Sequence, residues 1–514
     1  MRAVMFSIQR NLNVLGLQAV HNMLNQEGHE SFLLYLNRFD PDDLKANQNL
    51  FEFIREKKPD LFATSLTAVD FPLARSITQL LREAFPTIPM LWGGIHCTTA
   101  PELCVEHADY VCVGEGDDVI TDVARAIDAG ESLSGIANLA FMQDGQMVTN
   151  PVRPLVEDLD RLPIFRQIPP NSFIQVKGHL VPLNARHLAR FKVFHGRFYR
   201  TIISRGCPNN CTYCCNAHLQ TLYGRTAIRR RSVEHVMQEL ELALQEGPPV
   251  HYITIHDDCF LANSLDYLRE FAAEYKRRVK KPFLAKSTPA FLSKTRMDIV
   301  VDAGMAWINV GLESGSERIC NEVYGRTMPP SLFLKAAQVV KQYSVAAHYD
   351  VIVDNPWETD EDVIETINVL AQAPRPYGLL TLSLVFFHGS PLRERALREM
   401  PERVSDPITK DMYITGKSVL NDICLIASSF PRPVVNALVN MYHRKPGSPL
   451  TRFIVAALKL VHMTILSPIT LLRLIWLSQR KSFFKTLTAL PTFCDFRLIS
   501  YFNIFQVSKD STYE

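Results

Sequence analysis

The sequence predicts an α/β protein in three parts. An N-terminal doubly wound (Rossmann/flavodoxin-like) sheet comes first, then a partial (β/α)6 barrel, then a helical C-terminal domain. Three observations predict it. Short apolar runs alternate with helical segments through the first 130 residues, the pattern of a parallel sheet covered on both faces. A second strand–helix series starts after residue 195. A long, mainly apolar stretch from Phe453 to Leu477 marks the last part as helical.

In the first series, Arg2–Ser7, Ser31–Leu36, Leu61–Ser65, Met90–Trp92 and Tyr110–Val113 are expected strands. Leu15–Glu27, Asp42–Arg55, Phe71–Phe85 and Asp117–Ala129 are the intervening helices. Ligands of such sheets bind beyond the carboxyl ends of the strands, where small residues let a backbone approach closely. Ser65-Leu66-Thr67, Gly93-Gly94-Ile95-His96 and Gly114-Glu115-Gly116 stand at three successive strand ends. Leu139–Met142 and Met147–Asn150, joined through Asp144-Gly145, form a hairpin by the Asp-Gly turn rule. The first domain is therefore placed at 1–150. A turn-rich linker, 151–195, runs through Asp158–Pro163 towards Pro170.

The second series, within 196–395, has strands at Arg200–Ser204, Val250–His256, Phe283–Ser287, Ala306–Gly311, Ala346–Val353 and Leu379–Val385. Ser232–Glu246 and Asn263–Val279 are helices, with Asn263 the expected N-cap. Barrel active sites lie on loops at the carboxyl ends of strands. The loop after the first strand carries Cys207, Cys211 and Cys214, spaced by three and then two residues. Three soft ligands in so short a loop suit iron–sulfur ligation, and in a four-iron cluster they leave one iron open for chemistry. The alternative is a zinc knuckle completed by Cys215 or His218.

The 514 residues carry a formal charge of +2, with no basic stripe interleaved with aromatics, so no nucleic-acid partner is expected. The basic run Arg225 to Arg231 is expected to meet a phosphate, a carboxylate or solvent. Eleven cysteines without a regular framework, and no evident export signal at Met1 to Gln9, fit a reducing cytoplasm.

The cysteine spacing, with Tyr213 before the last thiol, resembles the signature of the radical S-adenosylmethionine (SAM) enzymes. The resemblance implies a [4Fe–4S] cluster on Cys207, Cys211 and Cys214, SAM chelated by the open iron, and reductive cleavage fed by an external flavodoxin- or ferredoxin-type electron donor. It implies that the backbone at Tyr213 approaches the adenine. Gly311-Leu312-Glu313-Ser314-Gly315 resembles the family's Gly-x-Glu-Ser-Gly motif and implies SAM contacts at Glu313 and Ser314. Asp354-Asn355-Pro356-Trp357-Glu358-Thr359 keeps Pro356, Glu358 and Thr359 of a Gly-x-Pro-Gly-Glu-Thr motif but replaces both glycines. Arg326 is a candidate partner of the SAM carboxylate. Asp257 and Asp258, in a segment similar to the family's Asp-Asp-x-Phe, are candidates for catalysis or for anchoring a helix start.

The first domain resembles the cobalamin-binding domain that precedes many radical SAM domains. Matching features are Leu15-Gly16-Leu17, Gly28-His29-Glu30, Ser65 and Thr67, Gly93, Gly94 and His96, and Gly114, Glu115 and Gly116. The resemblance implies cobalamin held by these loops. The Asp-x-His-x-x-Gly motif that supplies a cobalt ligand in methionine-synthase-like proteins is absent, so no lower axial ligand is implied. His96 is a candidate polar contact to the corrin.

Cys259, Cys320, Cys424 and Cys494 are expected to be buried apolar residues. In the domain 396–514, Lys459, His462, Pro468 and Arg473 interrupt the apolar stretch and argue against a spanning helix. Two readings stay open for it. One is a helical cap over the barrel mouth. The other is peripheral membrane contact through residues 453–485, where Phe483-Phe484 adjoin Arg480, Lys481 and Lys485. Together the resemblances imply a cobalamin-dependent methyltransferase acting on an unactivated carbon of a small biosynthetic intermediate. Radical rearrangement or oxidative cyclisation without methyl transfer is the alternative, and a non-catalytic cobalamin sensor or scaffold the second.

Overall fold

The computed structural model describes residues 1–224, 228–408 and 412–493. By internal contacts the chain divides into two units. One comprises Met1–Thr201, Tyr213–Val250 and Phe386–Lys410. The other comprises Ile202–Thr212, His251–Val385 and Asp411–Glu514.

The first unit is built on a nine-stranded sheet: β1 (Arg2–Ser7), β2 (Glu30–Tyr35), β3 (Leu61–Ser65), β4 (Met90–Gly93), β5 (Tyr110–Cys112), β6 (Leu139–Gln143), β7 (Gln146–Thr149), β8 (Ser172–Val176) and β9 (His179–Pro182). Their order is β7-β6-β5-β4-β3-β1-β2-β8-β9. β1 to β5 are parallel, as the alternation with helices requires. Successive residues of β1 feed opposite cores: Ala3 and Met5 pack with Leu33 and Leu61, while Val4 and Phe6 pack with Leu34 and Phe62. Burial on both faces explains why these strands are continuous apolar runs. The expected hairpin forms β6 and β7, turning at Asp144 and Gly145, both at positive φ.

The stretch expected as linker does more than connect. It contains β8, which pairs parallel with β2, β9, which folds back on β8, and a helix at Ala185–Phe191. The sheet thus continues past β2 in a direction that the helix–strand alternation does not signal.

β10 (Phe198–Thr201) and the two-residue β11 (Ser204–Arg205) lead into the cysteine loop, and β12 (Arg229–Arg230) follows it. In the second unit β13 (Tyr252–Ile255), β14 (Phe283–Ser287), β15 (Met305–Glu313), β16 (Ala346–Val353) and β17 (Gly378–Ser383) lie side by side in chain order, all parallel. The helix after β13 is Leu265–Arg278. Its cap is Ser264, whose hydroxyl accepts the Tyr267 N–H, and not Asn263, whose amide is turned inward onto the Phe260 carbonyl.

The C-terminal part is helical, as expected, with helices at Val419–Ile426, Arg432–Arg444, Pro449–Val461, Ser467–Ser478 and Phe483–Phe493. Its last helices do not cap the barrel mouth. Phe493 packs on Tyr252 and Trp307, the His251 ring lies 2.9 Å from the Thr492 hydroxyl, and the Arg480 guanidinium donates to the Val301 carbonyl just ahead of β15. These contacts lie at the amino ends of β13 and β15, opposite the loops that carry the candidate site. Apolar side chains at that end, Trp307 among them, offer the burial that this helix face needs.

Candidate functional site

Three thiols come from one loop. Gly206, at φ +102°, turns the chain out of β11 into Cys207. Among the described residues, no three His, Cys, Asp or Glu side chains converge as a finished metal cage. The loop is nevertheless equipped for thiolates. Asn209 Nδ2 lies 3.7 Å from Cys207 Sγ, and Asn216 Nδ2 lies 3.6 Å from Cys214 Sγ, so two of the three sulfurs have an amide donor beside them. Cys214 is the N-cap of the helix Cys215–Tyr223, where the helix dipole favours a negative sulfur. Cys211 is buried, and burial pushes the Cys207 thiol up to about 12. A soft cation that displaces that proton fits this set. His218 Nε2 lies 3.2 Å from the Thr98 carbonyl, and His218 joins no group of three metal-ligating side chains among the described residues.

The second unit fixes the entry to this loop. Asp257, at the end of β13, is buried and accepts the N–H groups of Ile203 (2.7 Å) and Ser204 (3.0 Å) and the Ser204 hydroxyl (2.6 Å). Burial raises its carboxyl to about 6 against these bonds. Asp257 therefore anchors the strand before the cysteines, while its neighbour Asp258 is exposed. Farther along, Thr212 donates its N–H to the Tyr324 carbonyl and its hydroxyl to the Val323 carbonyl.

Around the end of β15, Glu313 takes positive φ (66°) and its carboxylate lies 3.4 Å from Arg326 Nη1, while Arg326 Nη2 donates to the Gly311 carbonyl. Arg326, a candidate for the SAM carboxylate, is thus held by Glu313 and Gly311. Ser314 is fully buried. Its hydroxyl lies 3.4 Å from Glu358 and 3.3 Å from Thr366, which makes it a link between the β15 and β16 loops. The substitution of Asp354 for a motif glycine has a structural reason. Asp354 keeps the left-handed conformation (φ 60°), and its carboxylate accepts the Gly416 N–H and the Asn421 amide, both at 2.7 Å. Asp is among the few side chains that tolerate this region.

Polar side chains alternate along the strands behind these loops: Lys286 on β14, Asn309 on β15, His348 and Asp350 on β16. None was singled out from the sequence, since each looks like an isolated polar residue in an apolar strand. Asn309 Nδ2 donates to Asp350 Oδ2 at 2.7 Å, and His348 Nδ1 stands 3.9 Å from Asp350 Oδ1. Burial, with Glu313 nearby, raises Asp350 to about 8, and burial lowers His348 to about 4.

In the first unit the expected loops do gather at the carboxyl ends of β3, β4 and β5. Gly93 pairs in register with Ser65. Gly94 sits at φ +96°, and a Cβ there would stand 2.7 Å from the Leu66 carbonyl oxygen. Thr67 is turned inward to cap a short turn through Asp70. Gly114, at φ +94°, leaves room for the Tyr223 hydroxyl, which accepts the Glu115 N–H at 2.8 Å. Gly116 caps the helix Asp117–Ala129. The Glu115 carboxylate is gripped by the buried Arg229 guanidinium at 2.5 and 3.0 Å, so it braces the loop. The basic run thus meets carboxylates: Arg231 pairs with Glu239 at 2.6 Å, and Arg225 lies outside the described residues.

His96 is 2 % exposed, with its ring against Phe71 and 5.7 Å from that of His388. Among the described residues His96 Nε2, His388 Nδ1 and Ser7 Oγ, all buried, have no hydrogen-bond partner. Orphaned polar atoms at the carboxyl ends of strands are what an amide-fringed corrin would satisfy. His388 gave no sequence signal, since it lies past the last barrel strand. Of the expected inert cysteines, Cys259, Cys320 and Cys424 are buried, and Cys494 lies outside the described residues.

Comparison with known proteins agrees with this arrangement. The B12 binding domain family matches residues 1–124, and the Radical SAM superfamily matches residues 201–370. An uncharacterized methyltransferase of Pyrococcus horikoshii is 26% identical over 421 residues, covering 79% of this chain and 84% of that protein. The anaerobic magnesium-protoporphyrin IX monomethyl ester cyclase of Cereibacter sphaeroides is 23% identical over 336 residues, 63% of this chain and 51% of that one. Among solved structures, the radical S-adenosylmethionine methyltransferase TsrM from Kitasatospora setae, with tryptophan and a SAM analogue bound, superposes with a TM-score of 0.63 at 19% identity, covering 77% of this chain and 76% of that one. The cobalamin-dependent S-adenosylmethionine radical enzyme OxsB, with aqua-cobalamin and SAM bound, gives 0.64 at 14% identity, covering 97% and 75%. At these identities the two structures share the fold with this chain.

Proposed function

We propose that this chain, which belongs to the cobalamin-dependent radical SAM enzymes, transfers a methyl group to an unactivated carbon of a small biosynthetic intermediate. The observation that carries the proposal is the union of a B12-binding domain and a radical SAM domain in a chain that aligns with 84% of an uncharacterized methyltransferase.

When bound, the [4Fe–4S] cluster, SAM and cobalamin together supply a carbon-centred radical and a transferable methyl group. Cys207, Cys211 and Cys214 would hold three irons, with Asn209 and Asn216 donating to sulfur. Asp257 and Thr212 hold the loop ends and would thereby position the three thiols for a cluster. Glu313, beside Arg326, presents acceptors suited to ribose hydroxyls. The loops at Ser65, Gly94 and Gly114 would hold the corrin, with His96 and His388 as candidate hydrogen-bond partners of its polar fringe. Such a cluster would take its electron from an external low-potential donor of flavodoxin or ferredoxin type in a cytoplasmic setting. Residues 453–485 make peripheral contact with a membrane.

The test is anaerobic purification with hydroxocobalamin, then incubation with SAM and a strong reductant. Bound corrin with both 5′-deoxyadenosine and S-adenosylhomocysteine is the expected result. Deoxyadenosine alone, with candidate methyl acceptors present, would transfer the proposal to oxidative cyclisation, the reading that similarity to the cyclase favours. Neither product from cluster-loaded protein would overturn both.

A further inference from the structure

We infer that the last helices of the second unit form a docking face for an anionic lipid bilayer, on which the chain lies without crossing it. This rests on the peripheral contact proposed above and is independent of methyl transfer.

Pro449–Ser478 is long and apolar enough to cross a membrane by length and composition. One side of it is fastened to its own unit. Val455, Leu474 and Ile475 are buried, His462 Nδ1 lies 2.8 Å from the Ser429 hydroxyl, and Lys459 donates to Asp422 at 2.6 Å. Gln479, one residue on, is bonded to the Tyr252 hydroxyl. A helix bound along one stripe to the rest of its own unit cannot be ringed by acyl chains.

The opposite stripe faces out. Leu450, Phe453, Leu460, Ile465, Ile469 and Trp476 are all exposed, at helical spacing. The π-turn His462–Leu466 absorbs the one five-residue step. Phe483 and Phe484, at the start of the next helix, are 70% and 78% exposed. An exposed row of large apolar side chains marks an interaction site.

Charge selects the occupant. From Ile423 to Phe493 the sequence has no Asp or Glu and nine Lys or Arg residues. Arg444 and Lys445 are exposed before the stripe, and Arg480, Lys481 and Lys485 after it. Lys481 Nζ lies 6.0 Å from the Trp476 ring, an amphipathic pair suited to headgroup depth. A second copy docked on this face would set cations against cations. An anionic bilayer satisfies stripe and flanks together.

Flotation of the reconstituted full chain with phosphatidylcholine vesicles, with and without phosphatidylglycerol, tests this. Expected is flotation with the anionic vesicles, weakened by salt. Phe483→Ser with Phe484→Ser should weaken it at least about tenfold, and Arg480→Gln, Lys481→Gln and Lys485→Gln together about a hundredfold. Deoxyadenosine formation from SAM should be unchanged in both, which separates this result from that of the methyl-transfer test. Equal flotation with neutral vesicles would overturn the lipid assignment while leaving a peripheral contact. Flotation with neither would overturn both. A lipid-free dimer that the Phe variants split would assign the face to a second copy.

Discussion

Ser204 gives both its N–H and its hydroxyl to the buried carboxylate of Asp257, at 3.0 and 2.6 Å. The strand that enters the cysteine loop is thereby pinned to the end of β13. Asp257→Ala leaves three buried donors without their acceptor and should cost about 2–4 kcal/mol. Iron content after reconstitution should fall by at least half, with Asp257→Asn retaining more of it. Full iron loading in the Ala variant would remove this positioning role.

Cys207→Ala, Cys211→Ala or Cys214→Ala should each abolish the visible absorbance of the cluster and deoxyadenosine formation. Retention of both signals in one variant would remove that thiol from the ligand set.

Gly114→Ala places a methyl group 2.2 Å from the Tyr223 hydroxyl on a backbone at φ +94°. Strain and overlap should together cost about 2–4 kcal/mol and lower the corrin retained after gel filtration. Undiminished retention would place the corrin away from this loop.

Asp354 separates conformation from bonding. Asp354→Gly relaxes the positive φ but loses the bonds to Gly416 and Asn421, whereas Asp354→Ala loses the bonds and keeps the strain. Thermal unfolding should therefore rank wild type above Gly and Gly above Ala, the last step about 1 kcal/mol. Equal stability of Gly and Ala would show that the backbone relaxes there.

Burial pushes Asp350 and Glu358 up to about 8 each, with Glu313 and Asp362 respectively adding to it. Their folded-state values exceed their unfolded ones, so between about pH 4 and 8 the folded chain holds protons that the unfolded chain has released. Their effect on stability must fall as pH rises through that window. The unfolding temperature should be lower at about pH 8.5 than at about pH 6. Asp350→Asn with Glu358→Gln should flatten the difference. An unchanged slope in the double variant would assign it to other groups.

Much of this architecture was legible in the sequence because each feature had a local cause. Strands β1 to β5 are apolar runs since both their faces are covered, and Gly94 and Gly114 mark places where a side chain has no room. What was not legible depends on partners far along the chain. β8 is a strand only by pairing with β2, about 140 residues earlier, and its own mixed pattern does not announce it. Arg229 resembles one more surface cation until Glu115, 114 residues away, is brought to it. The departure at Asp354 was visible, but its meaning required Asn421. The polar layer of Lys286, Asn309, His348 and Asp350 was hidden because only register aligns residues of different strands.

The hairpin of β8 and β9 bears on where this protein can be cut. β2 carries Leu33, Leu34 and Tyr35 against Ser172, Phe173 and Ile174. A fragment that ended at residue 150, after the hairpin that the Asp-Gly turn predicts, would leave that ladder open to solvent. Unsatisfied and apolar, it would offer every other copy a template for the missing strand. A fragment meant to keep the edge of β2 covered therefore has to run at least to Pro182, so the segment that looks like a linker is part of the sheet.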